Sequence, residues 1–207
     1  MIIQPIVEGQ GEVVAVPLLL RRLMDEAQAW GLQIGRPHRR QRTQLVKKDS
    51  LQRAVRIAAL QDNCAAILIL FDADDDCPKE LAQTLEVWAR EAAGGRPCAV
   101  VMASREYEAW FLASIEALRG NSKVLPDATS HHEPEVPRDA KGELERRMPG
   151  SASYSPTVDQ VALTAELDLE LAYRRCRSFR KLVSAFGALA AAAGVAPAVW
   201  PPAAWVS

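Results

Sequence analysis

Acidic residues follow two apolar segments of the sequence, at positions where a buried strand would end. The first segment, residues 2–7, leads into Glu8 of the motif VEGQGE, and the second, AAILILFD, ends in Asp72, with Asp74 two positions later. Because the carboxyl ends of neighbouring parallel strands meet at one edge of a sheet, these three acids would converge there. Carboxylates that lie close together raise each other's pKa unless a cation neutralises them. Oxygen ligands without His or Cys suit Mg²⁺ or Mn²⁺, so the pattern predicts a divalent-metal site.

Each acidic motif taken alone has a simpler interpretation. An Asp at a strand end is often a helix cap or a turn residue, and DADDD is equally typical of a solvated loop. The placement of both motifs after buried strands is what favours the metal site. In VEGQGE, Gly9 and Gly11 would let the loop and a bulky anionic substrate approach the ion closely.

The hydrophobic pattern predicts the elements that would position these acids. AAILILFD and CAVVMAS are continuous apolar runs, as expected of parallel strands buried on both faces. Residues 2–7, with Ile2, Ile3, Ile6 and Val7, also predict a buried strand. Helical patterns cover residues 12–31, 51–62 (with Ser50 as N-cap), 78–93 and 105–118, and a short strand is expected at 43–46. The alternation predicts an α/β fold with a mostly parallel sheet flanked by helices.

The pattern changes after residue 118. Residues 119–137 are polar and proline-rich, which predicts a linker or loop. Only helical patterns follow, at about 138–148, 156–174 and 177–194, and the stripe Leu163, Leu167, Leu171 indicates core or an interface with a partner, a second copy included. We therefore predict an α/β domain over 1–118, a linker over 119–137 and a helical C-terminal extension over 138–207.

Composition restricts the class of protein. The chain has 207 residues and a net charge of −1, so affinity for nucleic acid must come from local basic patches. Its four cysteines show no CxxC spacing, which argues against a zinc site or a disulfide scaffold and is typical of a reducing cytosol. The longest apolar stretch contains Gly and Pro and is too weak to span a bilayer. These features predict a cytoplasmic protein without membrane association.

Basic residues are concentrated in two segments. The first, GRPHRRQRTQLVKKD, contains Arg39, Arg40, Arg42, Lys47 and Lys48. Such a run is usually a solvated face, but an acidic metal site that acts on nucleic acid also needs a basic approach surface. The second segment, residues 174–181, is the alternative surface. Neither distinguishes DNA from RNA.

Three motifs together resemble the Toprim domain of overcoming-lysogeny-defect-type nucleases. They are VEGQGE after the first strand, DAD after an apolar strand, and REYEAWFLAS. The sequence also resembles the small Toprim-like DUF4276 family, similar to the RloB proteins, whose helical C-terminal segment is matched by YSPTVDQ and ELDLELAYRRCRSFRKL. The resemblance therefore covers most of the chain.

The resemblance implies a Toprim fold over residues 1–118 and a role for individual acids. The implied metal ligands are Glu8, Glu12, Asp72, Asp74 and Glu108. Among them, the resemblance implies that Glu8, Asp72 and Asp74 are catalytic, with Glu8 as general acid or base. In that scheme one or two divalent ions polarise the phosphoryl oxygen and lower the pKa of a bound water.

These features lead to a Mg²⁺- or Mn²⁺-dependent nuclease as the expected function. Its setting in prokaryotic defence against phage or foreign DNA, and an ATPase subunit as partner, are implied only by the resemblance. Two alternatives stay open: a non-catalytic Toprim-like subunit of an ATPase-containing complex, and a metal-dependent phosphotransferase acting on small molecules. A P-loop ATPase is unsupported because no GxxxxGKS or GxxxxGKT motif accompanies the ILILFD strand.

Overall fold

The computed structural model describes residues 1–150, 152–195, 197 and 199–206. The strands are β1 (Ile2–Val7), β2 (Gln33–Ile34), β3 (His38–Arg39), β4 (Cys64–Asp72) and β5 (Cys98–Ala103). The α-helices are α1 (Glu12–Glu26), α2 (Arg42–Leu45), α3 (Lys48–Ala59), α4 (Pro78–Ala92), α5 (Glu108–Ala113), α6 (Ala140–Glu145), α7 (Pro156–Glu166), α8 (Leu169–Arg175), α9 (Arg177–Ala192) and α10 (Ala203–Val206), with a 3₁₀ helix at Ile115–Leu118.

The strands form one parallel sheet in the order β2-β1-β4-β5. β1 pairs along its whole length with β4, while the short β2 and β3 pair with successive parts of β1. Pro37, which has no N–H to donate, lies between β2 and β3. The chain leaves β1 toward β2 and then crosses to β4, so the strand order reverses beside β1. Sheets of this kind bind ligands in the crevice at the carboxyl ends of the strands where the order reverses.

Both faces of the sheet are covered by helices. Along β4, Leu68 and Leu70 pack into a core with α1, α5, α7 and α9, whereas Ile67, Ile69 and Phe71 pack with α3 and α4. This alternation follows from the two-residue repeat of a strand. Burial on both sides explains the continuous apolar run of β4. The predicted mostly parallel sheet flanked by helices is confirmed.

The helical C-terminal extension is also present, and it packs on the α1 face of the sheet. Leu163 and Leu167 are buried in the same core as Trp110, so this part of the leucine stripe is core rather than an exposed interface. Residues from 1–118 and from 138–207 thus share one apolar core. Within the described residues, no helix combines the length and the hydropathy needed to cross a membrane.

Several local predictions differ from the structure. The helix expected at 12–31 ends at Glu26, and the helix expected at 105–118 is divided into α5 and the 3₁₀ helix. Residues 43–46 were expected as a strand, but α2 occupies most of them. Ser50 is not an N-cap, because α3 begins at Lys48 and Ser50 lies in its first turn. The helix expected at 156–174 is divided into α7 and α8, because Asp168 accepts the N–H of Leu171 and so begins a new helix.

Candidate metal centre

The VEGQGE motif connects β1 to α1, and its two glutamates occupy different positions. Glu8 follows β1 directly and is half-buried, and its Oε2 has no hydrogen-bond partner among the described residues. Glu12 begins α1 and is buried, and its Oε2 accepts the main-chain N–H groups of Glu8 (2.8 Å) and Gly9 (3.0 Å). Glu12 therefore folds the loop against the helix N-terminus, where its charge also complements the helix dipole.

Gly11 lies where α7 packs against this loop. A Cβ at Gly11 would lie 2.3 Å from both the main-chain oxygen of Pro156 and the Oε1 of Gln160. A Cβ at Gly9 would have its nearest neighbour 3.6 Å away. The structure thus explains Gly11 by the close approach of a helix, whereas the sequence interpretation invoked the close approach of a ligand.

We expect Gly11→Ala to lower the free energy of unfolding by about 1–3 kcal/mol, because the added methyl meets a main-chain carbonyl that cannot swing aside. Gly9→Ala is the matched control and should change the free energy by about 0.5 kcal/mol or less. Urea unfolding of both variants measures the difference. Equal losses at the two positions would show that α7 does not constrain Gly11.

The two aspartates of the DAD motif do not lie together. Asp72 ends β4, and its Oδ1 accepts the N–H of Tyr107 at 2.8 Å. One of its oxygens therefore has the capping role that a strand-end Asp often has. Asp74 has a φ of +51°, and its Oδ2 lies 3.1 Å from the Nε of Arg42. Asp72 is half-buried, whereas Asp74 is exposed at the rim of the group.

Glu108 begins α5 and is only 1% exposed. Its Oε1 accepts the hydroxyl of Tyr154 at 2.8 Å, while its Oε2 has no hydrogen-bond partner in the described part of the chain. The Nζ of Lys141, in α6, lies 3.9 Å from that Oε2 and 3.0 Å from the Oε1 of Glu106. Side chains from the C-terminal extension therefore complete the site.

The buried carboxyl groups perturb one another. Burial raises the pKa of Glu8, and that of Glu12 to about 7. Burial, and then the charges of Glu12 and Glu108, raise the pKa of Asp72. Burial also raises the pKa of Glu108 against the opposing charge of Lys141. With no further cation, part of this group stays protonated near neutral pH.

The donor set fits a hard divalent cation. Among the described residues, Glu8 and Glu108 each have a buried oxygen without a hydrogen bond, and carboxylate oxygens are the ligands that such an ion prefers. As the side chains stand, no three Asp, Glu, His or Cys residues of the described ranges could hold one ion between them. An ion would therefore have to draw Glu8, Asp72 and Glu108 closer together.

The predicted nucleic-acid-binding residues occupy varied surroundings. Arg39 lies beside the site, with its Nε 3.4 Å from the main-chain oxygen of Glu8, and Arg40 donates to the main-chain oxygen of Arg39. Lys47 is exposed, and Lys48 pairs with Glu91 at 2.9 Å. Arg42 instead binds the acidic loop after β4. Their role in binding nucleic acid stays a prediction.

The alternative basic segment, residues 174–181, is largely engaged in packing. Arg175 donates to the main-chain oxygen of Ala113 and pairs with Glu116 at 3.1 Å. Arg180 donates to the main-chain oxygens of Tyr173 and Arg174. These bonds give Arg175 and Arg180 a structural role, and the binding of nucleic acid by this segment also stays a prediction.

Sequence reasoning missed Tyr154. Tyr154 and Glu108 are 46 positions apart, and neither local periodicity nor motif spacing brings them together. The YSPTVDQ motif begins at Tyr154, so the family pattern alone could have pointed to it.

A family model places the chain among known sequences. The model of DUF4276, described as a domain of unknown function, matches residues 7–186. The match includes VEGQGE from its first residue and extends through most of α9. No curated protein and no solved structure matches the chain. Because the family model covers most of its length, the chain belongs to the DUF4276 family.

Proposed function

We propose that this protein is a Mg²⁺- or Mn²⁺-dependent nuclease with a Toprim-like site. The observation that carries the proposal is the placement of four carboxyl groups at this edge of the sheet: Glu8 follows β1, Asp72 ends β4, and Glu12 and Glu108 begin α1 and α5. Burial raises the pKa of all four. The resemblance of VEGQGE, DAD and EAWFLA to overcoming-lysogeny-defect-type nucleases and to the RloB proteins supports it. That resemblance favours a setting in defence against phage or foreign DNA.

Glu8, Asp72 and Glu108 would hold the ion, which would polarise a phosphoryl oxygen and lower the pKa of a water. Glu8 is half-buried with one oxygen unbonded among the described residues, so it can exchange a proton with a reacting group. Burial alone would lower the pKa of Lys141. The negative charges of Glu108 and Asp72 have a larger combined effect, so the pKa of Lys141 is raised. Lys141 therefore stays protonated and favours the negative charge that develops on a phosphate.

A non-catalytic subunit of an ATPase-containing complex is the second candidate. It is favoured by the structural bonds that two of the acids make without an ion. Asp72 accepts the N–H of Tyr107, and Glu12 accepts the N–H groups of its own loop. A phosphotransferase acting on small molecules would use the same chemistry as the nuclease and differ in substrate.

Cleavage by the purified chain separates these candidates. Single- and double-stranded DNA and RNA are incubated with Mn²⁺, Mg²⁺ or EDTA. The proposal predicts cleavage of at least one of these substrates with metal and none with EDTA. Cleavage that appears only when an ATPase encoded beside this chain is added would favour the subunit. No cleavage under either condition would contradict the nuclease.

We expect Mn²⁺ to raise the melting temperature, because the ion binds the assembled carboxylates of the folded state. At an Mn²⁺ concentration of 100 times its Kd, the free energy of unfolding should increase by about 2.7 kcal/mol. Asp72→Asn with Asp74→Asn should abolish the shift. Without metal, this double variant should be at least as stable as wild type, since charge repulsion is relieved and Asn keeps an acceptor oxygen for Tyr107.

The matched control is Asp25→Asn with Asp62→Asn, two exposed aspartates whose loss changes the net charge equally. This control should keep the full response to Mn²⁺. A marked loss of metal-free stability in the Asp72 and Asp74 double variant would identify these aspartates as structural caps instead.

A further inference from the structure

The acidic loop after β4 is held by arginines from three separate segments of the chain. Each guanidinium lies within ion-pair distance of a carboxylate of residues 74–76. The pairs are Arg42 with Asp74 (3.1 Å) and with Asp76, Arg105 with Asp75 (2.8 Å), and Arg138 with Asp75 (3.2 Å). Positive charge is thus concentrated at the rim of the carboxylate group and is neutralised by the chain itself.

Arg42 is fixed by more than its aspartates. It begins α2, and it also donates to the main-chain oxygens of Asp72 (3.3 Å) and Ala73 (3.2 Å) at the end of β4. The side chain of Arg42 is only 20% exposed. These main-chain bonds hold the guanidinium at the carboxyl edge of the sheet whether or not a carboxylate faces it.

The aspartates, in contrast, are exposed. Asp74, Asp75 and Asp76 have exposed side-chain fractions of 57%, 72% and 51%. Exposed ion pairs contribute little to stability, so their exchange for another anion costs little. A phosphate group offers a guanidinium the same pair of oxygens as a carboxylate does, and nucleic acid presents such groups in succession.

We propose that Arg42, Arg105 and Arg138 bind the phosphates of the substrate, and that Asp74 to Asp76 occupy these arginines until a phosphate chain displaces them. This inference rests on the proposed nuclease. Displacement would also free the carboxylate of Asp74 from Arg42 and leave its negative charge uncompensated at the rim of the carboxylate group, where it attracts a divalent cation. Binding of nucleic acid and of a divalent ion would then favour each other, since such coupling is reciprocal.

Removing the internal anions tests the exchange. Asp75→Asn with Asp76→Asn should bind short single-stranded and duplex oligonucleotides, and inorganic tripolyphosphate, about fivefold more tightly in EDTA, where no cleavage occurs. Asp25→Asn with Asp62→Asn is the control, because it alters net charge equally at exposed positions. Equal affinities of the two double variants for both probes would overturn the proposal.

Removing the arginines gives the complementary test. Arg105→Gln with Arg138→Gln should weaken binding of both probes and reduce the salt dependence of duplex binding by about two phosphate contacts. Arg21→Gln with Arg53→Gln, at exposed positions in α1 and α3, is the control and should behave as wild type. Unchanged affinity and salt dependence in the Arg105 and Arg138 variant would also overturn the proposal. If the variants change the affinity for tripolyphosphate as expected but neither wild type nor any variant binds oligonucleotides, the exchange of anions is supported. The same result would contradict nucleic acid as the substrate.

Discussion

Glu8→Gln should reduce metal-dependent phosphodiester cleavage by at least ~10²-fold while the fold stays intact. The substitution keeps the size of the side chain but removes its charge and its capacity to accept a proton. Because the Oε2 of Glu8 makes no hydrogen bond within the described residues, the change breaks no bond at that atom. The measurement is cleavage of single- and double-stranded DNA and RNA, with the melting temperature as a check on folding.

Glu12→Gln is the companion variant and should have a milder effect. Its amide oxygen can still accept the N–H groups of Glu8 and Gly9, so the loop keeps its shape. Excess Mn²⁺ should partly restore its activity, because a weakened ligand set is refilled by mass action. Wild-type activity in Glu8→Gln would contradict the catalytic assignment of Glu8.

In the metal-free protein, the contribution of Glu12 to the free energy of unfolding should fall as the pH rises from about 4.5 to about 7. Burial raises the pKa of Glu12 from 4.5 to about 7 in the folded state. Between these values the folded state binds more protons than the unfolded state, so the free energy of unfolding decreases with pH. At 1.36 kcal/mol per pKa unit, Glu12 alone contributes about 3 kcal/mol of this decrease.

Urea unfolding in EDTA across this pH window, for wild type and Glu12→Gln, isolates the contribution of Glu12. Hydrogen bonds from Arg146 and Arg147 lower the pKa of Glu143 to about 2, so its contribution to stability changes mainly below this window and is common to both proteins. Saturating Mn²⁺ should reverse the wild-type trend, since the ion binds the deprotonated carboxylates. A difference between the two proteins that does not change with pH would contradict the raised pKa, and a trend unaffected by Mn²⁺ would contradict the metal centre.

The sheet could be predicted because its strand β4 is apolar on both faces. Ile67, Ile69 and Phe71 face one core while Leu68 and Leu70 face the other, and this leaves a continuous hydrophobic run in the sequence. The acids that end β1 and β4 could be placed at one edge for the same reason, because parallel strands carry their carboxyl ends to the same side. The pairing of β1 with β4, which the sequence argument assumed, brings these ends together.

The surroundings of these acids could not be predicted, because they depend on contacts between distant segments. Asp74 lies two positions after Asp72, yet its left-handed backbone and its pairing with Arg42 direct it to the rim. Tyr154 reaches Glu108 only because the C-terminal extension packs on the sheet. Ser50 favours a helix-cap position, but α3 begins two residues earlier, at Lys48, and Ser50 lies inside its first turn.

A crystal structure of the chain grown with Mn²⁺, with anomalous diffraction recorded for the metal, tests the metal centre most directly. We expect an anomalous peak at the carboxyl ends of β1 and β4, from an ion bonded to carboxylate oxygens of Glu8, Asp72 and Glu108. A peak located elsewhere, or no peak at saturating Mn²⁺, would contradict it.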